Sequence, residues 1–336
     1  MLLKLFLIVT SIDDIHADHV IRCFSQAGFG DEIFRLNTDR FCTDYEFYSD
    51  SKSITFHNIK NGRHFCSRQA LLGWYRRPKP VNHEEIGHFF RKKEPELENR
   101  FLQDNINEFL RFLYFDTEHT AVWANKYTSL MRARNRIFQL KRSRDIGFSV
   151  PETLITNDLT HCENFVSQHD SIVKPLDITS FQALGVGANV FTKPVKWSNI
   201  DALGPESMHC PQVLQERIKV QKEYRIVYAF GEVFAFHIRR KEGNNHLDIR
   251  KGGPSEVENY FTELDGACLD KVLNVMRSLD LEFASMDILT DGLDWYLIDL
   301  NPNGQWLWLE LDTRADISGA FVRKYIDLKK QQDANM

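Results

Sequence analysis

The spacing of apolar and polar positions changes period several times along the chain, and those changes mark its elements. Residues 3–10 form a near-continuous apolar run, LKLFLIVT, the pattern of a buried first strand. From about Asp18 to Ala27 the apolar positions take helical spacing, and a second strand, EIFRLN, follows. Short β segments are predicted around EFYSD and SITFHN, and LLGWYRRPKP at 71–80 reads as an apolar strand running into two arginines and a proline. From Glu84 to Leu113 the positions of Phe101, Leu102, Ile106, Phe109, Leu110 and Leu113 predict a long core-facing helix.

A second unit opens near Ala124 with a basic amphipathic helix closed by Gly147, then Pro151 and a strand. Its arginines are mixed with buried-type residues, which favours packing within a domain over a membrane or nucleic-acid surface. The strand SIVKPL comes next, then a loop holding Gly185 and Gly187, then NVFTKPV. A third unit starts at PQVLQERI and continues through EYRIVYAFGEVFAFHIRR, a hairpin turning at Gly231. A charged loop to Gly253 follows, then a helix from about Thr262 to Leu279 and a final pair of strands. The resulting division is 1–123, 124–211 and 212–330, and the polar KKQQDANM is expected to fray.

At 336 residues the chain is too long for one compact core, which agrees with several lobes. Its net charge of −5 supplies no general attraction to DNA or RNA. The six cysteines are scattered without a C-x-x-C pair, the usage of reduced thiols in the cytoplasm rather than of a disulfide framework or zinc site. The apolar start contains Lys4 and runs into the acidic SIDDIHADHV, so it reads as a strand and not as a signal peptide. No other run approaches the length of a membrane span.

Candidate chemistry is concentrated in SMDILTDGLDWYLIDLNPNGQWLW, residues 285–308. Asp287 falls on one strand, and Asp299 and Asn301 fall on the same face of the next, after a turn at Asp291-Gly292. Solvated acids on a surface hairpin would explain one such residue. Three oxygen-bearing side chains between apolar neighbours favour a site for a hard cation such as Mg²⁺. Lys174 ends an apolar strand immediately before Pro175, where its ammonium either reaches water or meets an anion. The GVG at 185–187 permits close backbone approach but fails the dinucleotide fingerprint, and no P-loop motif is present. Glu223 and Arg225 share a strand face; taken alone they form a structural ion pair. Beside Lys174 and the Asp/Asp/Asn set they also suit the phosphates, ribose and metal of one nucleotide. None of the twelve histidines falls in a zinc-binding helical pair, and His237 reads as structural.

The order Lys174, glycine loop, Gln215-Glu216-x-Ile218, Glu223-x-Arg225, Asp287, Asp299-x-Asn301 resembles the ATP-grasp superfamily. FRLNTD, WYRRP, NRIFQLKRSRDIGFSVPETLITND and LNPNGQWLWLE extend the resemblance across nearly the whole chain, toward the ligases that make graspetides, the microviridin-type peptide macrocyclases. The resemblance implies an α/β ATP-grasp fold: an N-terminal α/β lobe, a central domain and a C-terminal domain, with ATP between the last two. It implies that Lys174 binds the α/β-phosphates and that Gly185 and Gly187 close over them. Gln215, Glu216 and the backbone near Ile218 would hold adenine, with Glu223 on the ribose and Arg225 on the phosphoryl group in transit. Asp287, Asp299 and Asn301 would hold Mg²⁺. Asp299 stands where the family usually has glutamate, and Arg136 stands at a basic position usually occupied by lysine, on the ATP side.

The implied partner is a ribosomally made precursor peptide, with a leader bound in the central domain and an acidic core that is closed by ester or amide bonds. The leader groove is not assigned to residues. Homodimers are common in the group it resembles; no stretch of this sequence marks an interface. The basic loop HIRRKEGNNHLDIRKGG, with Arg239, Arg240, Lys241, Arg250 and Lys251, is balanced between a solvated loop and a substrate-attracting mouth. Arg239 is the single candidate taken from it as catalytic. The alternatives are another ATP-grasp carboxylate–amine ligase, acting on a protein or small molecule, and a peptide-binding protein without chemistry. The retained Lys174, Arg225, Asp287 and Asn301 count against the latter.

Overall fold

The computed structural model describes residues 3–50, 52–81, 86, 94–174, 176, 193–196, 198, 200, 209–241 and 256–334. Gly185, Gly187, Arg250 and Lys251 lie outside the described residues.

The apolar run at the start is β1 (Leu5–Thr10), buried along its whole length. It pairs in parallel with β2 (Ile33–Asn37), returning through the helix Ile15–Gln26. That helix starts on Asp14, whose carboxylate accepts the N–H groups of His16 and Ala17. A small antiparallel sheet, β3 (Tyr45–Ser49), β4 (Ile54–Asn58) and β5 (His64–Cys66), precedes β6 (Ala70–Tyr75). With β7 (Val122–Trp123) the first parallel sheet has the order β2-β1-β6-β7. The long helix is described over Pro95–Thr117, with Ile106, Leu110 and Leu113 on its buried face. Phe101, expected on that face, is 52% exposed. It precedes Ile106 by five positions, about 140° around the helix at 3.6 residues per turn.

The central sheet, β10-β9-β11-β8, contains β8 (Thr153–Thr156), β9 (Ser171–Lys174), β10 (Lys193–Val195) and β11 (Gln212–Glu216). β11 therefore pairs with β8 and β9, so the change of sheet comes after Glu216 and not at 212. The C-terminal sheet has the order β14-β13-β12-β15-β16, from β12 (Lys222–Ala229), β13 (Glu232–Arg240), β14 (Val257–Thr262), β15 (Phe283–Thr290) and β16 (Trp295–Asn301). The helix Gly266–Leu279, capped by Asp265, packs Val272, Met276 and Leu279 into a core with Ile226, Met286 and Leu300. Ala133 and Phe148 belong to that same core. The stretch after Ala124, expected with the central unit, thus packs on the C-terminal sheet.

The outer lobes are also fused. Phe6, Phe24 and Trp74 of the first unit share a core with Phe236, Phe283, Trp306 and Phe321. The last helix, Ile317–Ala334, supplies Phe321 and Tyr325 to it and includes residues 329–334 of the tail expected to fray. Lys, Gln and Ala propagate a helix well, and Lys329 fixes it through an ion pair to Glu32 at 2.6 Å.

His16 forms part of this junction. Its Nε2 accepts the backbone N–H groups of Trp306 (3.2 Å) and Leu307 (3.3 Å). The acceptor nitrogen must be unprotonated, and burial, followed by the nearby Arg76 charge, pulls the imidazole from its ordinary 6.5 down to about 3. The unfolded chain takes up a proton below pH 6.5 that the folded chain refuses, so stability is lost as pH falls through that value. Between pH 7.5 and 5.5 this amounts to about 1.4 kcal/mol. His16→Gln retains an acceptor that does not titrate. The difference in stability between variant and wild type, followed by denaturant melts at both pH values, is expected to shift by that amount in the variant's favour on acidification; an unchanged difference would mean that His16 is protonated in the fold.

Candidate active site

A cavity of about 240 Å³ lies between the central and C-terminal sheets. From the central sheet come Ile172 and Lys174 at the end of β9 and Gln215 and Glu216 at the end of β11. Gln215 is buried, and its Nε2 donates to Thr153 Oγ1 at 3.0 Å. Arg217, Ile218 and Val220 line the cavity from the segment that joins the two sheets. From the C-terminal sheet come Glu223 and Arg225, which alternation places on one face of β12.

The far end of the cavity is a row of charges set by strand register. Arg225 on β12 stands opposite Asp287 on β15, and Asp287 stands opposite Asp299 on β16. The register then slips, with Ile288 facing Leu297, which leaves Ile298 as an extra residue in β16. This bulge allows the consecutive Ile298 and Asp299 both to line the cavity. Arg225 donates to Asp287 Oδ1 at 2.6 Å, to Ser285 Oγ at 2.6 Å and to the Gln305 carbonyl at 3.3 Å. Arg136 Nη2 lies 3.6 Å from Asp299 Oδ1. Two carboxylates thus stand between two guanidiniums. Burial pushes the Asp299 carboxyl above its ordinary range; Arg136 pulls it back, Asp287 pushes it up, and Lys174 and Arg225 pull it down.

Arg136 reaches this row because its helix, Arg136–Ile146, is docked by one amide. Gln139 Nε2 donates to the Leu300 carbonyl at 2.6 Å, and its Oε1 accepts the Leu300 N–H at 3.2 Å. The helix begins on an Asn135 cap and ends at Gly147, whose φ of 96° suits glycine.

Asn301 lies two register pairs beyond Asp299, opposite Ser285; its Oδ1 accepts the Asn303 N–H at 2.9 Å. It lines a neighbouring cleft and not the cavity that holds Asp287 and Asp299. Asp287 and Asp299, opposed across adjacent strands, offer the oxygen donors that a hard divalent cation takes, while Asn301 shares the Asp299 face of β16 by alternation but lines the adjoining cleft.

Arg239 is a further sequence candidate that falls away from the cavity. Glu223 pairs with Ile238, so the cavity face of β13 carries Ile238 and Arg240, while Arg239 shares the opposite face with His237. Arg239 is exposed, and Arg240 takes the inward position and pairs with Glu223 at 2.9 Å. Ser285 and Gln305 are residues that sequence reasoning passed over, and Arg240 was named there only as part of the basic loop. Parity from Asp287 placed Ser285 on the same face, whereas Arg240 required the hairpin register.

No family model matches the sequence, and no curated protein matches it either. Among solved structures the chain is similar along its length to ATP-grasp ligases, and its fold is the ATP-grasp fold. One is the macrocyclase MdnC of Microcystis aeruginosa, bound with the precursor peptide MdnA: 21% identity, TM-score 0.80, covering 96% of this chain and 100% of that one. Another is a RiPP-associated ATP-grasp ligase of Chryseobacterium gregarium in complex with ADP and a leader and core peptide: 23% identity, TM-score 0.80, 97% of each chain. The D-alanyl-alanine synthetase A of Vibrio cholerae is further away, at 12% identity and TM-score 0.61, over 98% of this chain and 99% of that one. Among the described residues no helix is long and apolar enough to cross a membrane.

Proposed function

We propose that the protein is an ATP-dependent ligase that activates Asp or Glu side chains of a ribosomally made precursor peptide and closes ester or amide macrocycles. The observation that carries this reading is the row Arg225, Asp287, Asp299 and Arg136 at one end of a cavity whose other walls hold Lys174 and Glu223. A carboxylate is a poor electrophile, because its charge is delocalised and its leaving group is oxide. Transfer of the γ-phosphoryl of ATP makes an acylphosphate, which a Thr, Ser or Lys side chain attacks with release of phosphate. Such transfer needs positioning and charge neutralisation more than covalent help.

In this assignment Lys174 holds the phosphates, Arg225 balances the charge of the moving phosphoryl group, and Glu223 takes the ribose hydroxyls. Gln215, Glu216 and the backbone at Ile218 lie where adenine would sit between the sheets. Mg²⁺ held by Asp287, Asp299 and Asn301 would supply Lewis-acid neutralisation of the phosphates. Apolar Ile172, Leu289 and Trp308 line the same cavity and keep water from the activated acid. The substrate's leader is assigned to the central domain and its acidic core to the cavity mouth.

The test is to search the neighbourhood of this gene for a small acidic precursor peptide and to follow its intact mass after incubation with enzyme, ATP and Mg²⁺. Loss of one water per ring with release of ADP and phosphate is the expected result. Lys174→Ala is expected to lower turnover by at least about a hundredfold. Unchanged peptide mass with an amino acid added to another acceptor would replace this reading with that of a different carboxylate–amine ligase.

A further inference from the structure

A second cleft, of about 680 Å³, adjoins the first and shares Gln305 with it. Its walls come from the N-terminal lobe and from the strap Pro302–Gln305 that follows β16. Four basic side chains line it: Arg76, Arg77, Lys79 and Arg134. Two of them are matched, Lys79 by an ion pair to Asp13 and Arg76 by Asp14, whose Oδ2 lies 3.6 Å from its Nε. Arg76 is fully buried and donates to the Asn303 carbonyl, so it serves the wall. Among the described residues Arg77 and Arg134 have no side-chain hydrogen bond or ion pair. Arg77 also holds a φ of 45°, a left-handed backbone that an arginine adopts only when its surroundings impose it.

Two uncommitted guanidiniums in a wide cleft suit carboxylates, which they grip by paired N–H donors. The cleft meets the cavity at Gln305, whose carbonyl Arg225 already binds. A carboxylate that reaches the phosphoryl group through that junction leaves the rest of the peptide in the larger cleft. We propose that this cleft holds the carboxylates of the substrate that are not being activated, with Arg77 and Arg134 as their binding groups. The proposal rests on the function proposed above and gives it a substrate preference: a segment with several acids, one reacting while its neighbours are held.

The experiment uses the full chain and fluorescein-labelled hexaglutamate as probe, followed by fluorescence anisotropy. Wild type is expected to bind it, more weakly as salt rises, without displacement by ADP and Mg²⁺. The double substitution Arg77→Gly, Arg134→Ala is expected to weaken binding at least about tenfold, because it removes two charge-assisted pairs. Glycine is chosen because the left-handed backbone accepts it, so the variant keeps its fold. Arg77→Lys with Arg134→Lys is expected to recover part of the loss. Calorimetric titration of ADP with Mg²⁺ is expected to be unchanged in these variants and lost in Lys174→Ala, which keeps hexaglutamate binding. Failure of nucleotide binding in wild type would strike the ligase reading alone. Absence of hexaglutamate binding, its displacement by ADP, or equal binding by the double variant would overturn the second cleft's assignment.

Discussion

Arg225→Ala is expected to lower peptide-dependent ATP turnover about a thousandfold, the scale seen when one preorganised donor to transition-state charge is removed. The guanidinium spans Asp287, Ser285 and the Gln305 carbonyl at once, so its position is set from three sides. A group fixed this way needs no reorganisation when charge moves toward it. The loss should fall on kcat, with KM for ATP changing less than about threefold, because the interaction belongs to the transition state more than to bound nucleotide. Arg225→Lys keeps the charge and gives up the planar fork, and recovery of no more than about tenfold is expected. Steady-state ADP release with the precursor peptide measures both. Turnover of the alanine variant within about tenfold of wild type would remove Arg225 from the chemistry.

The strands were legible where the period was strict, and so were the side chains whose roles depend on parity within one strand. Glu223 and Arg225, two residues apart on β12, line one cavity as alternation requires. Arg239 and Arg240 show the limit. Their difference is one residue of register across the β12–β13 hairpin, and a one-residue change moves every side chain to the other face. The bulge at Ile298 coincides with a break in alternation, the apolar pair Leu297-Ile298, but two adjacent apolar residues equally fit a strand buried on both faces. Chain order also misled the domain division. The stretch from Ala124 to Phe148 and the last helix pack against sheets far away in sequence, because their apolar faces are covered there. Nothing local distinguishes Gln139 from a surface glutamine, yet its amide joins the edge of β16 and thereby brings Arg136 to Asp299.

Gly304 offers the sharpest test of how the two clefts are joined. The strap Pro302–Gln305 is gripped from both sides, Arg76 binding the Asn303 carbonyl and Arg225 the Gln305 carbonyl. Between them Gly304 lies so close to Ser285 that a Cβ would overlap its Oγ and fall 3.1 Å from the Asn301 carbonyl. Gly304→Ala therefore cannot be absorbed by a small rotation; the strap or β15 must move. Overpacking of this kind costs about 1–3 kcal/mol. The same movement pulls Gln305 and Ser285 away from Arg225, and turnover is expected to fall about a hundredfold through mispositioning alone. Ser285→Gly removes both the hydroxyl and the Cβ that stands 2.5 Å from the new methyl, so the double variant should regain most of the lost stability. It should not regain full turnover, because Arg225 then lacks the Ser285 Oγ acceptor at 2.6 Å. A double-mutant cycle on melting and on kcat separates the two effects: favourable coupling of at least about 1 kcal/mol in stability is expected. Additive losses in the cycle would mean that the strap does not bear on Ser285, and the close contact between the two clefts would have to be abandoned.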